Sequence, residues 1–150
     1  MIEPPMYTSA KGITFIQSFE DCKLTAYQDS GGVWTVGWGA TGKDIGPGTV
    51  WTQGEADAAF VIKLSGVEKV VNLDVAVPLS QDEFDALVDF VYNVGPTAFA
   101  RSTLLTLLND GQYEGAAQQF ERWDTVHGRV IAGLLRRRIA EEDEFTGENA

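Results

Sequence analysis

The chain has 150 residues, enough for one domain that buries a real core, and its 44% hydrophobic and 22% charged content is that of an ordinary globular protein. A formal net charge of -11 excludes nucleic acid as the main partner and disfavours docking on an anionic membrane, since both need clustered Lys and Arg. The single cysteine, Cys22, excludes an intrachain disulfide and reads as a small buried hydrophobe.

The acidity is uneven. Residues 1–100 carry 5 basic and 13 acidic side chains, and residues 101–150 carry 6 and 9, so the C-terminal part can present a local basic face. No run of 18 apolar residues exists, which predicts no membrane-spanning segment. The start, MIEPPMYTSAKG, lacks a basic region followed by an apolar stretch. It therefore predicts no secretory signal, and accumulation in the cytoplasm of the producing cell.

Residues 1–8 hold Pro4 and Pro5 and read as a loose leader. Ser9 is a candidate cap for a helix over about 10–21, with Ile13, Ile16, Phe19 and possibly Phe15 on its apolar face. Glu20 falls in the last turn, where the helix dipole disfavours a carboxylate. A local violation of this kind is expected at a functional site. Leu24 to Tyr27 reads as a short strand, DSGG as a turn, VWTVGWG as a second strand, and VW at 50–51 as a third. Thr52 and Glu55 form a capping box that opens a helix to about Leu64.

From there the pattern is helical. Ser80 and Glu83 form a second capping box, followed by Phe84, Leu87, Val88, Val91 and Tyr92 at helical spacing. Gly95 closes that helix and Pro96 forbids its continuation. Further helices are predicted around Leu104–Leu108, over about 112–123 and over about 130–145, with 146–150 a loose tail. No internal repeat divides the chain, which predicts one domain over 1–150: a small helix-plus-hairpin lobe and a helical lobe.

Two acids stand out in FEDCKLTAYQDSGGVWTVGWG. Glycosidic hydrolysis needs one protonated carboxyl for the leaving oxygen and one ionised carboxylate to activate water or support charge on the sugar. Glu20 follows apolar Phe19 at a helix end, while Asp29 lies in a polar turn beside glycine amides. Two such environments can drive carboxyl pKa values apart. Thr35, on the next strand, is placed to position a water near Asp29. Local physics alone leaves this open, because two acids nine apart are common and most are solvated.

The spacing Glu20, eight residues, Asp29, five residues, Thr35 resembles the catalytic signature of the phage-type lysozymes, glycoside hydrolase family 24. The likeness continues through YNVG (92–95), STLLTLLNDG (102–111), AAQQFERW (116–123) and GRVIAGLLRRRIAEEDEF (128–145), and covers roughly residues 9–145. It implies an α+β lysozyme-like fold, with a small β-hairpin lobe, a mainly helical lobe and a cleft between them. It implies Glu20 as general acid, Asp29 as second catalytic carboxylate and Thr35 as holder of the attacking water. The implied activity is that of a muramidase, cutting peptidoglycan between N-acetylmuramic acid and N-acetylglucosamine with inversion, without metal or cofactor. The implied setting is a phage or prophage endolysin, monomeric, held in the host cytoplasm until a holin opens the inner membrane, and then acting on the wall in the periplasm. Where many relatives read GYGHT, this chain has Ala40 in place of the histidine, which bears on stability more than on chemistry.

The same resemblance aligns Tyr92, Asn93 and Thr103 loosely with cleft-lining positions, and favours an arginine of the last helix, Arg137, reaching the catalytic carboxylates. The plainer expectation for Arg136–Arg138 and Glu141–Glu144 is a solvated charged face. Trp34, Trp38 and Trp51 read as lobe-stiffening core before glycan contacts. His127, the only histidine, reads as surface decoration. Two rival functions stay open: a lysozyme-like module that binds glycan without cutting it, and a lytic transglycosylase, which works with one acid and leaves an anhydro-sugar.

Overall fold

The computed structural model describes residues 4–126 and 128–147; His127 lies outside the described residues, as do 1–3 and 148–150. Helix α1 spans Ala10–Glu20. Ser9 caps it, accepting from the Gly12 amide at 3.0 Å. The chain leaves this helix at Asp21, a non-glycine residue at φ 47°, whose N–H still reaches the Gln17 carbonyl.

Strands β1 (Lys23–Gln28) and β2 (Trp34–Gly37) pair antiparallel, with Tyr27 opposite Thr35 and an irregularity between Lys23 and Tyr27. The segment 49–51 adds a partial third strand: Trp51 N–H donates to the Leu24 carbonyl and Ala26 N–H to that of Thr49, both at 2.8 Å. Gly37 and Trp51 explain each other. Gly37 has φ 65°, and a Cβ there would lie 3.1 Å from the Trp51 ring, so glycine both adopts the turn and lets the indole approach the backbone.

The helical lobe begins with α2 (Gln53–Asp74) and α3 (Gln81–Val94), each opened by its complete capping box. Helix α2 runs ten residues beyond the expected end at Leu64: Ser65 and Gly66 are poor helix formers, but Val67 and Val71 are buried and hold the helix on. Helix α3 is the axis of the lobe. Every residue from Phe84 to Tyr92 is buried, because α1, α2 and α7 (Ala132–Thr146) pack around it. Pro96 does end α3, and then serves as the first residue of a further short helix, α4 (Pro96–Ala100). Helices α5 (Thr103–Asn109) and α6 (Tyr113–Gln119) follow, and a 3-10 turn (Phe120–Arg122) replaces the last part of the expected 112–123 helix. A second hairpin of β3 (Thr125–Val126) and β4 (Arg129–Val130), not expected from sequence, precedes α7.

The described part of the expected loose leader, residues 4–8, is fastened to the helical lobe. Met6 N–H donates to Asn72 Oδ1, Thr8 N–H to Glu68 Oε2, and Ser9 N–H to Asp85 Oδ1. At the other end, Thr146 closes α7 and Gly147 caps it in the left-handed conformation, so neither belongs to a loose tail. Among the described residues, no helix is long and apolar enough to cross a membrane.

Candidate active site

Glu20 ends α1 and points at the segment that follows β2. Its side chain is 13% exposed and its Oε2 accepts from Arg137 Nη1 at 2.8 Å. The arginine is held from behind by Asp89 of α3, through paired bonds of 2.9 Å from Nε and Nη2. Its guanidinium also lies 5.3 Å from the Phe19 ring centroid. Burial alone would raise the Asp89 carboxyl, but the Arg137 charge holds it below its ordinary value. Glu141, four residues after Arg137, is raised well above the ordinary range by burial and by the Asp89 charge beside it. Arg138 contacts Glu141 at 2.8 Å and donates to Asn93 Oδ1 at 2.8 Å.

The expected solvated face is thus overturned. Arg137, Arg138, Glu141 and Glu144 are all buried, because α7 lays them against α3 where Asp89 awaits. Arg137 does reach Glu20, but as a buried support behind the acid and not as a glycan contact. Tyr92 is corrected in the same sense: it is 3% exposed and its hydroxyl donates to the Trp38 carbonyl at 2.5 Å. Asn93 is exposed but its amide oxygen is taken by Arg138. Thr103 is exposed on the rim of a depression of about 470 Å³ lined by Arg101, Arg122 and Trp123, and neither Glu20, Asp29 nor Thr35 lines it.

Asp29 sits in the turn between β1 and β2. Its Oδ1 accepts the amides of Gly31 and Val33, both at 2.9 Å. The same residue, Val33, accepts the Thr35 hydroxyl on its carbonyl at 2.9 Å. The backbone of one residue, Val33, therefore orients both Asp29 and the buried Thr35. Tyr27 lies opposite Thr35 and feels both acids. Burial raises its phenol, and the charges of Glu20, Asp29 and Asp21 raise it further.

Three further positions belong to this site. Gly39 (φ 84°) lies so close to Glu20 that a Cβ would sit 2.3 Å from Oε1. Lys63 of α2 donates to the Gly39 carbonyl at 3.0 Å. Asp89 reads in sequence as an acid on an apolar helix, and that misfit was the available clue. Trp38 packs edge-on to Phe60 and donates its indole N–H to Asp57, a stiffening role. Asp82, Asp85 and Glu144 cluster within 4.8 Å, but the Lys11 ammonium bridges Asp82 and Glu144, and Asp85 accepts from the Ser9 amide and the Gln81 side chain.

Comparison with known proteins shows the family. The phage lysozyme family model matches residues 17–141. An endolysin of Acyrthosiphon pisum secondary endosymbiont phage 1 is 40% identical over 144 residues, covering 93% of this chain and 98% of that protein. The chain spans about half the length (55%) of the endolysin of Bacillus phage PZA, which is 39% identical. Among solved structures, an endolysin from Escherichia coli O157:H7 phage FAHEc1 superposes with a TM-score of 0.83 at 34% identity, covering 97% of both chains. The muramidase domain of SpmX from Asticaccaulis excentricus gives 0.80 at 36% identity, covering 93% of this chain and 98% of that one. With a small hairpin region beside a larger helical region, and with the family model and these relatives matching most of its length, the chain belongs to the phage lysozyme family.

Proposed function

We propose that the chain is a muramidase that hydrolyses the β-1,4 bond between N-acetylmuramic acid and N-acetylglucosamine of peptidoglycan, lysing the bacterial host of a phage. The observation that carries the assignment of roles is the contrast between the two acids. Glu20 is enclosed, clamped by Arg137 and covered by Gly39. Asp29 is exposed in a turn and fixed by two backbone amides on one oxygen. Family membership supports the same roles.

Glu20, once protonated, gives its proton to the leaving glycosidic oxygen. Asp29 uses Oδ2, which has no protein donor among the described residues, to take a proton from water. The Thr35 hydroxyl spends its own hydrogen on Val33 and keeps lone pairs for that water. The water attacks the anomeric carbon from the face opposite the leaving group, which inverts the configuration and needs about 6.5–9.5 Å between the carboxyls. No step calls for a metal or cofactor. The chain works as a monomer and meets its substrate after a holin opens the inner membrane; expression of this gene alone, without a holin, leaves cells intact.

The test is digestion of purified peptidoglycan by the wild type and by Glu20→Gln, with products read by mass spectrometry and anomeric configuration by NMR. Reducing-end muropeptides of inverted configuration from the wild type alone are the expected result. Anhydro products reassign the chain to the transglycosylases. Glycan binding without products makes it a binding module.

A further inference from the structure

We propose that Lys63 is a positioning residue for Glu20, holding the Gly39 backbone closed over that carboxyl together with Tyr92. This rests on Glu20 being the acid. The two carbonyls that follow β2 both turn toward the helical lobe. Trp38 O accepts the Tyr92 hydroxyl and Gly39 O accepts the Lys63 ammonium. The two donors also hold each other, since Lys63 Nζ lies 4.1 Å from the Tyr92 ring centroid. They come from different helices, α2 and α3, so the clasp ties the hairpin lobe to both. What it presses down is the residue whose Cα has no room for a methyl above Glu20.

A lysine in this place needs a reason. Burial lowers its amine below the ordinary value, while the Glu20 charge works to restore it and Arg137 opposes it. Among the described residues Lys63 makes no ion pair within 4.0 Å. Its charge is therefore sustained by a carbonyl, a ring face and the field of Glu20. That makes Lys63 a second cation in the field of the acid, held from α2 on the Gly39 carbonyl while Arg137 of α7 binds the acid directly. The charged and titratable groups around Glu20 are Lys63 from α2; Asp89 and Tyr92 from α3; Arg137, Arg138 and Glu141 from α7; Tyr27 from β1; and Asp21 and Asp29 from the adjoining turns.

A merely structural lysine and a positioning lysine differ in what its removal does. Lys63→Met keeps the stem and deletes the charge. We expect kcat to fall about tenfold with KM within about twofold, as a closed geometry is lost. The alkaline limb of the pH–rate profile should move to higher pH, because deleting a nearby cation favours the protonated acid. Tyr92→Phe removes one half of the clasp but no charge, so it should lower kcat without moving that limb. Lys63→Arg should restore the limb to its wild-type place. Glu20→Gln is run alongside: if it stays active, the assignment of the acid fails. If Glu20→Gln is inactive and Lys63→Met keeps the wild-type kcat, or loses activity only in proportion to its folded fraction with the limb unmoved, the positioning role is refuted.

Discussion

Gly39 stands over the Glu20 carboxyl, with no space between them for a single methyl group. Its φ of 84° is also one that side chains rarely adopt. Gly39→Ala should therefore act twice, costing about 1–2 kcal/mol in backbone strain and pushing Glu20 off its position. Wall-clearing activity should fall at least ~100-fold, while more than half of the protein remains folded at 25 °C. Clearing assays paired with a thermal melt check this; activity within threefold of wild type would mean that the acid tolerates displacement.

Asp89 matters to Glu20 without touching it. Asp89→Asn removes the charge that holds Arg137 in register and leaves a buried guanidinium short of compensation. A loss of about 3 kcal/mol in urea unfolding is expected, with activity falling further than stability explains. A cost below 1 kcal/mol would show that Glu20 and Glu141 are enough to hold the arginine.

Glu142 links stability to pH. Burial and the facing Glu121 carboxyl raise it to about 7. A carboxyl raised on folding stabilises fully below its ordinary value near 4.5, and that contribution is lost as pH climbs through about 7. Glu142→Gln should then match wild type at pH 4 and exceed it at pH 8, by about 1 kcal/mol once solvent screening is allowed for. Melting temperatures of both proteins across pH 4–8 decide it. Parallel curves would refute the coupling.

The two capping boxes offer a control remote from the chemistry. Thr52→Ala and Ser80→Ala each remove a side-chain acceptor from a helix start. Each should cost about 1 kcal/mol, the double variant about the sum, with kcat unchanged. A change in kcat would tie helix registration to the site more closely than the contacts suggest.

These contrasts mark what sequence could and could not disclose. Helix starts were legible because Ser9, Thr52 and Ser80 act on amides three residues away. Glu20 was legible as an acid in the wrong turn of a helix. The length of α2 was not, since Val67 and Val71 hold it through tertiary packing that overrides Ser65 and Gly66. The charge run of α7 was misread because its partner, Asp89, lies 48 residues earlier, and no local spacing announces a pairing at that distance. Nor did anything in the sequence distinguish Lys63 from a surface lysine; only the Gly39 carbonyl above it does.

The ion pair between Glu20 and Arg137 joins residues 117 positions apart. It makes the enclosure of Glu20 depend on the docking of α7. Glu20 leaves the ribosome early, in a helix that can form locally, but its clamp arrives with the last helix. Until α7 docks on α3, the acid lacks its support and Asp89 its counter-charge. Contacts of such long sequence separation carry a loop-closure entropy cost that slows folding. A chain lacking α7 would hold Glu20 and Asp29 yet leave Glu20 without its arginine.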